Sequence, residues 1–217
     1  MYLKHSMIVL VLSATLIMVN CQVQASQIAF GSLTDPSGDS GAGAADFTSL
    51  FITVDSIGTA LVSVRFAPGT FAADSSSWIS FDVDQNPATG WAGTDSAHTD
   101  SDLIGVEYGV EIYGSGFQSN AILWLYSGGV WNSGNTYSVT YLSNGCDAVV
   151  PLADIGNDDG FLNFCGAVQT QLTSNTFTGI NDYIPNKGQP VGSTIPEPAS
   201  LVLLGLGGLA AMRRRRA

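Results

Sequence analysis

Between residues 47 and 170 the chain returns again and again to a period of two. Apolar and polar side chains alternate over short segments, at 47–55, 59–66, 78–84, 103–113, 121–127, 136–142, 147–152 and 161–170, and Gly, Asn, Ser or Asp separates them. A period of two is the signature of a strand with one buried face, and almost no 3.6-residue period competes with it. In 78–84, Ile79, Phe81 and Val83 take one side while Ser80, Asp82 and Asp84 take the other. In 103–113, Val106, Tyr108, Val110 and Ile112 share one face, and Glu107 and Glu111 lie opposite with Gly105 and Gly109. Short alternating strands at regular spacing predict an all-β chain, an antiparallel β-sandwich of about 8–10 strands.

Both ends break this pattern. Lys4 and His5 precede an apolar stretch at 7–19, and Val23-Gln24-Ala25 offers a small-residue cleavage site. This reads as a secretory signal peptide over residues 1–25, with a signal helix, leaving Ser26 first in the mature chain. Cys21 would suit a lipoprotein, but Asn20 stands where that signal wants Gly, Ala or Ser. At the other end Pro196, Glu197 and Pro198 lead into an apolar run at 199–212 and then Arg213, Arg214, Arg215 and Arg216. As a helix the run would be about 21 Å long, short of the roughly 30 Å hydrocarbon core, and Gly205, Gly207 and Gly208 weaken it. Four arginines beside an apolar segment belong on the cytoplasmic side and place the preceding residues outside.

A Pro-Glu-Pro triplet, a short hydrophobic helix and terminal arginines, in that order, resemble the PEP-CTERM sorting signal of exported bacterial proteins. The resemblance implies that an exosortase-type membrane protease recognises Pro196, Glu197 and Pro198 and cuts there. The protein would then be held briefly at the inner membrane and passed to the cell surface or extracellular matrix. The competing reading is a plain C-terminal anchor. The expected organisation is signal peptide 1–25, exported domain 26–187, linker 188–195 and sorting segment 196–217.

The exported part carries 17 acidic residues against Arg65 and Lys187 alone. Nucleic acid and anionic lipid are poor partners for such a surface, and divalent cations and neutral or cationic polymers are better ones. The acids are nearly all Asp among Gly, Ser, Asn and Thr, a pattern of loops and metal sites rather than helices. Cys146 and Cys165 remain once the signal peptide is gone, and a single pair in an exported chain predicts a disulfide, with two buried thiols as the alternative.

The densest polar cluster is Asp82-Val83-Asp84-Gln85-Asn86-Pro87-Ala88-Thr89-Gly90, with Asp95, Asp100 and Asp102 beyond. Alternating oxygen ligands at Asp82, Asp84 and Asn86 suit calcium, against the alternative of an acidic solvated turn. It is no EF-hand, because Pro87 replaces the required glycine and Gly93 the final Glu. Together with Asp35-Pro36, Gly38-Asp39, the run Gly105-Val106-Glu107-Tyr108 and the run from Asn181 to Gly188, this loop resembles family 9 carbohydrate-binding and DOMON-like β-sandwich domains. That resemblance implies a sandwich, calcium at the Asp82 loop and ligand binding.

Trp91, Trp124 and Tyr126 are the candidate rings for stacking on sugar faces, with Trp131 in reach, although a sandwich core also consumes Trp and Tyr. Two enzyme motifs are dismissed. Gly38-Asp39-Ser40-Gly41 is followed by Ala42, and His98 comes after this serine instead of before it. Glu107 and Glu111 lie about 13 Å apart along a strand, beyond the roughly 5–9.5 Å a glycosidase pair needs. His98 alone lacks the further ligands of a zinc site. The sequence therefore favours a non-enzymatic, exopolymer-associated β-sandwich that binds carbohydrate. A polysaccharide hydrolase using Asp82, Asp84 and Glu107, or a purely structural matrix protein, stands as the alternative.

Overall fold

The computed structural model describes residues 27–41, 44–71, 73–91, 104–116, 118–156, 159–169, 180–186 and 189–196. They form twelve strands: β1 (Gln27–Thr34), β2 (Phe47–Asp55), β3 (Thr59–Phe66), β4 (Ser76–Asp82), β5 (Tyr108–Tyr113), β6 (Asn120–Ser127), β7 (Val130–Leu142), β8 (Gly145–Pro151), β9 (Asn163–Gln169), β10 (Ile180–Ile184), β11 (Gly192–Ser193) and β12 (Ile195–Pro196). Every pairing is antiparallel, in the order β10-β9-β4-β5-β6-β7-β8-β3-β2-β1-β12, with β11 on β9. The expected all-β antiparallel architecture is present, as a sheet nearly closed into a barrel. The two layers are continuous because β7 serves both: 130–138 pairs with β6 and 139–142 with β8.

Alternation builds the core. In β2, Leu50, Ile52 and Val54 are buried, and a register shift between Phe47 and Ser49 turns Phe47 inward as well. They meet Ile79 and Phe81 of β4, Val110 and Ile112 of β5, Phe164 and Val168 of β9 and Ile184 of β10. Each such side chain stabilises the fold by about 1.5–3 kcal/mol through burial. Phe164 lies between two glycines: a Cβ on Gly31 of β1 would sit 2.6 Å from its ring, and one on Gly192 of β11 2.5 Å. Only glycine lets β1 and β11 close this tightly over the ring.

Two expectations are corrected. The segment 188–195 was read as a linker, but its described part is stitched into the sheet. Gly192 and Ser193 pair with Phe164 and Asn163, and Ile195 and Pro196 pair with Phe30 and Ala29. Between them Thr194 is buried, its hydroxyl accepting from Leu162 N at 2.9 Å and donating to Gly160 O at 2.7 Å. Nor does a disulfide join Cys146 and Cys165, since both are buried free thiols. Cys146 points into the core between the layers, whereas Cys165, next to the inward Phe164, points out of the opposite layer into a separate cluster. With a sheet between them the two sulfurs cannot bond. Burial pushes both thiols up to about 12, so neither is reactive.

The signal helix, the apolar run 199–212, Glu197, Pro198 and the four terminal arginines lie outside the described residues. Among the described residues no helix is long and apolar enough to cross a membrane.

Candidate functional site

The outer face of the layer containing β4, β5 and β6 carries the aromatic residues. Register sets Ser80, Gly109 and Trp124 side by side in one row and Trp78, Glu111 and Ile122 in the next. The small residues leave a floor onto which Trp78 folds, for a Cβ on Gly109 would lie 2.2 Å from its ring. Trp78 Nε1 donates to Ser80 Oγ at 3.1 Å. Trp131 of β7, opposite Tyr126 in register, is the hub. Its ring lies 5.0 Å from Trp78 at 84°, 5.9 Å from Trp91 at 70° and 5.2 Å from Tyr126 at 55°. Trp124 lies 6.2 Å from Trp78. All five rings are half-buried, with faces or edges left to solvent. Trp91, Trp124 and Tyr126 are thus brought together, away from the core between the layers. Trp78 and Trp131 complete the group.

Glu111 is the polar anchor beneath. It is buried and accepts hydrogen bonds from Ser76 Oγ at 3.0 Å, Tyr113 Oη at 2.6 Å and Trp124 Nε1 at 3.1 Å. Burial raises its pKa from the ordinary 4.5, and these donors only partly offset the rise. Every lone pair so used holds a neighbour in place, so Glu111 orients Trp124 rather than offering itself to solvent. Its outward position was legible from the alternation, but the three donors come from β4, β5 and β6 and have no signal in any one segment.

The Asp82 loop feeds the same face. Asp82 accepts from Asn86 N at 3.1 Å and Asn163 Nδ2 at 3.2 Å, and Asp84 accepts from Asn86 N at 2.9 Å. Thr89 Oγ1 lies 3.0 Å from both Asp84 oxygens and 2.9 Å from Glu107 Oε1. Glu107 Oε2 accepts from Val83 N at 3.1 Å. Carboxylate oxygens of Asp82, Asp84 and Glu107 lie within 4.8 Å of one another, an all-oxygen set of the kind a hard divalent cation takes. Burial raises the pKa of Asp82 and of Glu107. The Asn86 side chain accepts from Ala88 N at 3.2 Å. Asp95, Asp100, Asp102 and His98 lie outside the described residues. The loop closes through Gly90 at φ 69°, a value that favours glycine, and through a two-bond bridge between Trp91 and Val106. That bridge sets Trp91 against Trp131.

No curated protein and no solved structure matches the chain. A family model, the PEP-CTERM protein-sorting motif, matches residues 194–216 and leaves the β domain uncovered. The chain therefore carries the address of an exported protein that exosortase sorts to the cell surface.

Proposed function

We propose that this is a non-enzymatic exported protein that binds polysaccharide at the cell surface through Trp78, Trp91, Trp124, Tyr126 and Trp131. The single observation that carries the reading is the ring group itself. Trp91 and Trp131 also cover the small cluster of Ile104, Val106 and Cys165, but all five rings keep part of their surface exposed, and sugar rings present apolar faces that stack on such surfaces. The near absence of basic residues fits a neutral polymer. Calcium held by Asp82, Asp84 and Glu107 would stiffen the loop that ends at Trp91 and so sharpen the platform. The sorting tail would hold the protein briefly at the inner membrane until exosortase cuts at Pro196, Glu197 and Pro198. The family 9 and DOMON-like motifs point the same way.

The test is retention of the purified protein on a panel of polysaccharides, including the host's exopolymer, with calcium and with chelator. Retention on one polymer, weakened about tenfold by Trp131→Ala with the β-sheet circular dichroism unchanged, supports the reading. Retention that falls both in chelator and in the double variant Asp82→Asn, Asp84→Asn would assign the calcium effect to the Asp82 loop. No retention in either condition overturns binding in favour of a structural matrix role, and release of reducing ends would replace it with hydrolysis.

A further inference from the structure

A second set of carboxylates, distinct from the Asp82 loop, gathers where the turn after β1 meets β10. Asp35 follows β1, Asp39 lies in the turn after it, Asp46 precedes β2, and Asp182 stands in β10 at the far end of the sheet path. Gly38 at φ 100° makes the turn that carries Asp39 back. Oxygens of Asp35, Asp39 and Asp182 lie within 4.8 Å of one another. Most of these groups have neighbours. Asp39 accepts from Asn186 Nδ2 at 2.6 Å, Asp46 Oδ2 from Gly38 N at 2.8 Å, and Asp182 from Phe47 N at 2.6 Å and Tyr183 N at 2.8 Å.

Asp35 is different. It is 8 % exposed, and among the described residues both its oxygens are buried with no hydrogen-bond partner, as is Asp46 Oδ1. A native fold leaves very few buried polar atoms unpaired, and a carboxylate is the costliest to strand. A proton on Asp35 would lower its charge but would still leave its buried oxygens short of hydrogen-bond partners among the described residues. Arg65, the only Lys or Arg among the described residues, does not resolve this either, since it is engaged by Asp147 at 2.7 Å. A cation does resolve it. Ligand oxygens at about 2.3–2.6 Å from one calcium stand about 3–5 Å from each other, too far for a hydrogen bond and right for a shared ion.

We infer that Asp35, Asp39 and Asp182, with Asp46 beside them, form a calcium site that staples the open edge of the sheet, tying the turn after β1 to β10. Calcium is preferred over magnesium because the burial of Asp35, Asp46 and Asp182 leaves little room for the waters that magnesium keeps. The site is separate from the Asp82 loop and does not depend on polysaccharide binding. Because Phe47 N is bonded to Asp182, the ion would fix β2 of one layer to β10 of the other.

The experiment is thermal unfolding of the full chain in calcium, in magnesium and in chelator, for the wild type, Asp35→Asn and the double variant Asp82→Asn, Asp84→Asn. At calcium about 100-fold above the dissociation constant the wild type should melt about 5–10 °C higher than in chelator, with a smaller gain in magnesium. Asp35→Asn should lose that gain yet melt at or above the wild type in chelator, since it removes one of several mutually repelling charges. The double variant should keep most of the gain. The inference is overturned if calcium leaves the wild-type melting temperature unchanged, if Asp35→Asn is destabilised equally in both conditions, or if only the double variant loses the response. A Lys187→Gln variant that melts well below a calcium-insensitive wild type would identify that ammonium as the counter-charge instead.

Discussion

Glu111 shows how one residue can be read for both structure and pH response. Its folded pKa is raised by burial above 4.5. The folded state therefore holds this proton more tightly than the unfolded state does. The stability so gained is fully present below 4.5 and is lost as pH rises through the raised value. Relative to Glu111→Gln, the wild type should lose stability as pH climbs from 4.5. Denaturant unfolding of both proteins across that window checks it, and parallel curves would refute it. The offset between the curves reports the altered bonds to Ser76, Tyr113 and Trp124, so the slope is the diagnostic quantity. The cysteines belong to the same scale. Cys146 and Cys165 should both titrate with a thiol reagent in the unfolded, unreduced mature chain, and reductant should leave the melting temperature where it was. A single pair in an exported chain suggests a bridge, but pairing is a matter of which face each sulfur occupies. Cys165 neighbours Phe164, and alternation sends them to opposite sides.

At the scale of elements, most strands were legible and the terminal ones were not. β2 and β3 coincide with their alternating segments, and β6, β8 and β9 begin or end within two residues of theirs. β1 gave no such signal because its inward positions are Ala29, Gly31 and Leu33, while its largest described side chain, Phe30, faces outward and stacks on Phe51 at 6.2 Å. The close approach over Phe164 demands small residues just where the pattern looks for large ones. β11 and β12 are two residues each, below any periodicity. What holds their crossing is the Thr194 hydroxyl between Leu162 N and Gly160 O. Thr194→Val keeps the shape but removes the bonds to Leu162 N and Gly160 O, and should cost about 1–3 kcal/mol, a shift of a few degrees in melting temperature. Faster hydrogen exchange at Leu162 and Ile195 should accompany it.

At the scale of the whole molecule the two ends of the domain meet. Ala29 near its start pairs with Pro196, the first residue of the sorting triplet. The described sheet thus reaches the first residue of the sorting motif. Pro196→Ala with Glu197→Ala should leave the protein uncut at the inner membrane, seen as retention of a C-terminal epitope in the membrane fraction. Unchanged processing would refute the assignment of the triplet. The address, the all-β class and the identities of Trp91, Trp124 and Tyr126 were all set by sequence, because a sorting signal is read as a linear string and strand periodicity is local. Which rings, acids and thiols meet was decided only by tertiary structure. Trp78, Glu111 and Trp131 join the aromatic group through register between strands. Glu107 joins Asp82 and Asp84 because the loop folds back on it. Asp35 meets Asp182 because the ends of the sheet path close on each other. Such meetings depend on long-range pairing, which leaves no trace in any one stretch of chain.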